Sequence, residues 1–251
     1  MKSNIFLILG LVSAITVISP TRTSAQQIIY SDSLTNAAGA PLNGTSPATD
    51  TTGATWIADS GINETATGAT LGTGDSAYLP FTPILGDDYT LTLDILDSTG
   101  TTYVGDGFTR FDTTSQFYGN GQEAYMLLSG PNLPTNTTTV QYFNPGNDDT
   151  ASGTYTTSEI FSINMQTTTS GNWTETFSVD GVQVGTYSNL PLLVNYVGFG
   201  DLNNSDAGSG LVTSFQLVNN SPSPEPSTWA MMFLAGLGLL VLVRRQKYLR
   251  A

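Results

Sequence analysis

Over residues 89–95 apolar and polar side chains alternate one for one: Tyr89, Leu91, Leu93 and Ile95 on one side, Thr90, Thr92 and Asp94 on the other. A period of two belongs to a β-strand with one buried and one wet face. The same pattern recurs in short runs at 27–30, 54–58, 76–81, 103–108, 123–129, 138–143, 159–167, 173–179, 182–187, 192–200 and 211–218. No stretch between them sustains a helical period. Asp180-Gly181 joins two of the runs, and that pair suits a tight hairpin because both residues tolerate positive φ. Residues 36–50 and 144–153, rich in Gly, Pro and Asn, read as long loops. Many short strands with turn-rich links and no repeat of 20–50 residues predict an all-β fold, an antiparallel β-sandwich or barrel in one domain over 26–219.

Two residue types are missing, and their absence removes whole classes of chemistry. Without cysteine there is no disulfide scaffold, no thiolate metal site and no cysteine nucleophile. Without histidine the usual general base, the usual zinc ligand and the Ser-His-Asp hydrolase go too. The charge is lopsided as well. Between Gln26 and Pro226, Arg110 is the sole cation against all 20 carboxylates, so this region carries about −19 where the whole chain carries −13. Such a surface repels nucleic acid, which is itself a polyanion.

The two ends have different compositions from the middle. Lys2 precedes an apolar run over 5–18, Pro20 breaks it, and Thr23-Ser24-Ala25 sets small residues ahead of Gln26. This predicts a signal peptide over 1–25, its apolar run falling short of the ~20 residues that a membrane span needs. At the other end, 220–228 is a proline-rich linker containing Pro224-Glu225-Pro226. An uncharged stretch over 229–243 follows, and 244–251 is a basic tail with Arg244, Arg245, Lys247 and Arg250. The stretch predicts a short transmembrane helix with its tail on the cytoplasmic side. Gly236 and Gly238 weaken that helix, which suits a temporary hold.

Pro224-Glu225-Pro226, a short apolar helix and the Arg244-Arg245 cluster, in this order, resemble the PEP-CTERM sorting signal. The resemblance implies an exosortase-type transpeptidase as partner, an inner-membrane intermediate, cleavage near the motif, and delivery to the cell surface or extracellular matrix. A second resemblance is looser. Residues 89–96, Ser162-Ile163-Asn164-Met165, Asn172-Trp173-Thr174, the Phe177–Gly181 hairpin, Val197-Gly198-Phe199-Gly200 and the strand over 210–218 look like a concanavalin A-like, LamG-type jelly roll. That likeness implies a module associating with glycan, with exopolysaccharide as the expected partner.

Candidate chemistry follows from the residues left. A jelly-roll glycoside hydrolase or lyase is the enzyme reading, and the hydrolases need two opposed carboxylates. The Glu-x-Asp-x-x-Glu run that places them on one strand face in jelly-roll glucanases is absent here, which favours a non-catalytic module. Glu175 shares a strand face with Trp173 and Phe177, and is either a single buried carboxylate or a solvated residue at a strand end. Tyr118, Tyr142 and Tyr155 fall in or near Gly- and Asn-rich segments and are the candidate sugar-stacking residues. Trp56 and Trp173 are expected in the core. Asp201, Asn203 and Asp206 lie in a segment of alternating oxygen side chains that reads either as a Ca2+ site or as a solvated acidic loop. Arg110 is expected to pair with a neighbour such as Asp106 or Asp112.

Overall fold

A computed structural model of the chain describes residues 26–99, 103–112, 122–132, 137–191, 193–201, 209–221, 234–236 and 238. The predicted signal peptide, the Pro224-Glu225-Pro226 motif, Arg244 and Arg245 lie outside the described residues, as do Tyr118, Asn203 and Asp206. The chain divides into two units, Gln26–Ser221 and a second made of Met1–Ala25 with Pro222–Ala251. In the second, residues 234–236 and 238 are helical. Among the described residues no helix is long and apolar enough to cross a membrane.

The first unit is a sandwich of two antiparallel sheets. Its strands are β1 (Gln27–Asp32), β2 (Ala40–Pro41), β3 (Thr49–Asp50), β4 (Ile57–Ala58), β5 (Asn63–Glu64), β6 (Ala69–Leu71), β7 (Ser76–Pro80), β8 (Asp88–Thr99) and β9 (Tyr103–Thr109). They continue with β10 (Gln122–Asn132), β11 (Thr137–Asn144), β12 (Asn147–Thr150), β13 (Glu159–Thr167), β14 (Asn172–Val179), β15 (Val182–Pro191), β16 (Tyr196–Asp201) and β17 (Ser209–Asn219). One sheet runs β15-β14-β13-β8-β17-β6-β5-β2, with β1 beside β17 and β3 beside β1; the other runs β12-β11-β10-β9-β16-β7-β4. The first and last strands pair, Gln27 with Asn219, so the ends of the unit are tied together.

Alternation sets the register. Tyr89, Leu91, Leu93 and Ile95 of β8 are all buried, and Leu93 faces Phe161 on one neighbour and Phe215 on the other. A one-residue slip would turn this entire set to solvent, which fixes the pairing. From the second sheet Val104, Phe108, Met126, Leu128, Val140, Val197 and Phe199 close the same core. The Asp180-Gly181 hairpin forms as expected, with φ of 49° and 76°, both in the left-handed region that a tight two-residue turn needs.

Several short strands were not legible. β2 and β3 lie inside the predicted loop over 36–50, and β12 inside that over 144–153. A two-residue strand has no period to detect, and β12 is exposed along its whole length, so no apolar face marks it.

Candidate functional site

The second sheet has a second buried cluster on the side away from the sandwich core. Tyr78, Tyr125, Leu127 and Phe143 are buried there, flanked by the half-buried Tyr103 and Tyr196. Tyr125 and Phe143 face each other across β10 and β11 and stack at 4.4 Å with ring planes 7° apart. Glycines on the neighbouring strands make room for the rings. A Cβ at Gly107 would lie 2.5 Å from the Cβ of Tyr125, and one at Gly198 would lie 2.7 Å from Cδ1 of Tyr78.

At the open side of the sandwich, between the β14–β15 hairpin and residues 152–155, lies a groove of about 350 Å³. Tyr155, Val179, Val182 and Val184 give it apolar walls, and Glu159 and Asp180 give it acid groups. Val182 is 67% exposed. The two acids meet because Asp180 sits in the hairpin turn opposite the start of β13: its N–H donates to the Ile160 carbonyl at 2.9 Å, and its Oδ1 accepts from the Ile160 N–H at 2.9 Å. Glu159 Oε1 accepts from the backbone N–H of Thr156 and, at 3.1 Å, from the Thr156 hydroxyl. Burial is the main influence pushing the Glu159 pKa up; the Thr156 hydrogen bonds oppose it and the Asp180 carboxylate adds to it.

Of the predicted sugar-stacking residues, Tyr155 borders this groove, half-buried, with its ring against Gly153. Tyr142 was expected near a loop, but lies in β11 and points between the sheets. Its ring packs on Phe177 at 5.2 Å and on Tyr187 at 5.6 Å, and sits where a Cβ on Gly185 would be. The ring is half-buried and packs against the core. Trp56 and Trp173 are buried, as expected.

The remaining polar chemistry is inside. Glu175, Asp106 and Asp201 are each 0% exposed, and among the described residues none of their carboxyl oxygens makes a well-formed hydrogen bond. Of the two readings open for Glu175, the buried one holds: β14 is an inner strand, between β13 and β15. Burial lifts its pKa to about 8, opposed by the Asn144 side chain and assisted by the charge of Glu123. Asp201 is also lifted to about 8, first by burial, with the Tyr103 backbone opposing and Asp75 assisting. Burial raises Asp106 well above the usual carboxylate range. Of the three residues read as calcium ligands, only Asp201 is described. Among the described residues no three acidic side chains are grouped to hold a metal ion.

Arg110 departs from expectation. It pairs with Glu123, not with Asp106 or Asp112: Nε donates to Oε1 at 2.9 Å, and a terminal nitrogen donates to the same oxygen. A register shift between Gln122, opposite Thr109, and Ala124, opposite Phe108, leaves Glu123 out of the ladder, where its side chain meets Arg110. Asp106 is turned into the core between Val104 and Phe108, and Asp112 is exposed. The Glu159–Asp180 pair was missed because it depends on strand register, which no local spacing encodes.

Three comparisons bear on this geometry. The PEP-CTERM protein-sorting motif matches residues 224–247. No curated protein matches the chain by sequence. Among solved structures, the carbohydrate recognition domain of Emp47p is similar at 13% identity and a TM-score of 0.52, covering 78% of this chain and 97% of that one. A legume lectin-like domain from Entamoeba histolytica aligns at 10% identity and a TM-score of 0.45, over 64% of this chain and 88% of that one. The alginate lyase Aly36B aligns at 12% and 0.44, over 76% and 96%. The fold is a lectin-like jelly roll. At these identities the likeness speaks of fold alone, and the two lower scores carry no argument.

Proposed function

We propose, for a chain that carries a PEP-CTERM sorting motif behind a lectin-like jelly roll, that its work is non-catalytic association with a glycan at the cell surface. The motif implies export and sorting to the surface. In this reading an exosortase-type enzyme cleaves near Pro224-Glu225-Pro226, and the short apolar stretch over 229–243 holds the chain in the inner membrane only until then. Mass spectrometry of the surface-exposed protein is expected to find it ending before Trp229. A C-terminal peptide containing Arg244 and Arg245 in that fraction would refute the cleavage.

The observation that carries the glycan reading is the groove beside Tyr155, where apolar walls and a few polar groups converge in the manner of small-ligand sites. The full-length protein is expected to be retained on at least one member of a polysaccharide panel. Tyr155→Ala should weaken that retention by about tenfold, equivalent to ~1.4 kcal/mol. Release of new sugar ends during the incubation would identify a glycan-active enzyme instead. Retention on none of the panel would end the glycan reading.

A further inference from the structure

The charges of the groove allow its ligand to be narrowed, an inference that rests on the glycan reading above. Within Gln26–Ser221 the only cation is Arg110, whose side chain is 38% exposed and is already paired with the buried Glu123. No free Lys or Arg is therefore left to neutralise a uronate or a sulfate, and a polyanionic glycan would meet a net charge of the same sign. The groove itself sets two carboxyl groups, Glu159 and Asp180, beside each other at the edge of an apolar wall. Each is anchored by backbone donors through one oxygen, Oε1 of Glu159 to Thr156 and Oδ1 of Asp180 to Ile160. Like charges in a half-enclosed site destabilise one another, so the site gains most from a ligand that brings positive charge. An alkylammonium supplies that charge with three N–H donors. Val179, Val182, Val184 and Tyr155 supply the apolar surface for the C–H face of a sugar ring.

We propose that the groove takes a glycan bearing free, protonated amino groups, a partly deacetylated amino-sugar polymer, in preference to neutral or uronic-acid polymers. The groups lining the site are the exposed Asp180 and Glu159, which is 6% exposed, with Tyr155 and Gln183 beside them.

The test uses the full-length protein with three probes: chitosan oligomers, the same oligomers fully N-acetylated, and oligouronates. Chitosan should bind at least tenfold more tightly than its acetylated counterpart, and oligouronate should not bind. Glu159→Gln and Asp180→Asn should each weaken chitosan binding about tenfold. Both keep the anchoring acceptor oxygen, and Asn also tolerates the positive φ of the turn. Asp112→Asn, an exposed acid outside the groove, should leave binding unchanged. Equal binding of the acetylated oligomer would overturn the amine preference and leave the glycan reading standing. A loss in Asp112→Asn as large as that in Glu159→Gln would overturn it in favour of diffuse attraction to an acidic protein. Loss on adding EDTA would overturn it in favour of a bridging divalent cation. Binding of none of the probes, with another glycan retained, would overturn the amine reading alone; binding of no glycan at all would overturn both.

Discussion

Glu175→Gln and Asp201→Asn should each raise the melting temperature of the protein at pH 8 and leave it nearly unchanged at pH 4. Both carboxyls are buried, make no well-formed hydrogen bond among the described residues, and have pKa values lifted to about 8. The sign follows from proton linkage. In the unfolded chain these groups ionise near the ordinary carboxylate values of 4.5 and 3.8, while in the fold they stay protonated up to about 8. The stability they allow is complete below the unfolded values and is lost as pH rises through the folded ones. At about 1.36 kcal/mol per unit, the loss across this window is on the order of 4 kcal/mol for each group. For a domain of this size that corresponds to roughly 10 °C. An isosteric amide cannot ionise, so each variant should recover its share at pH 8 and none at pH 4. Thermal melts of the wild type and both single variants, followed by circular dichroism from pH 4 to pH 8.5, provide the measurement. Parallel curves for all three proteins would show that these carboxyls are solvated or paired in solution.

Trp56→Ala should unfold much of the protein at room temperature. Trp56 is 1% exposed and wedges between the sheets, with edge-on contacts to Phe199 at 5.3 Å and Phe215 at 5.1 Å. Phe199 belongs to β16 in one sheet and Phe215 to β17 in the other, so the indole ties the two layers together. Its Nε1 also donates to Asp32 Oδ2 at 2.8 Å. Truncating a buried Trp costs about 3–5 kcal/mol, and leaving a buried acceptor without its donor adds about 1–3 kcal/mol. The sum approaches the 5–15 kcal/mol that typically separates folded from unfolded states. Trp56→Phe separates the two contributions: it keeps most of the packing and should lose only about 1–3 kcal/mol through the stranded Asp32 oxygen. Urea titrations would read both. A Trp56→Ala midpoint close to that of the wild type would mean that the indole is not what joins the sheets.

The fold was largely legible in the sequence because alternation is a local signal. β8, β13 and β14 each show their buried face in their own residues, and the Asp180-Gly181 turn carries its own chemistry. The sorting motif was legible for the same reason, since it is a linear pattern read along the chain. The site was harder. Tyr155 and Tyr142 have similar surroundings in sequence, yet one borders a groove and the other fills the gap between sheets. What separates them is which strand lies opposite: Gly185 of β15 leaves the space that the Tyr142 ring enters.

By itself, then, the sequence determined the class of fold, the absence of thiol and imidazole chemistry, the acidity of the exported region and its sorting tail. These depend on composition and on periods of a few residues. Only the tertiary structure decided that Arg110 meets Glu123, that Glu159 meets Asp180, and that Glu175 and Asp201 are buried with no well-formed hydrogen bond among the described residues. Each of these depends on register and sheet packing between residues distant along the chain, and a carboxylate's charge, pairing and pKa follow from what the fold places around it.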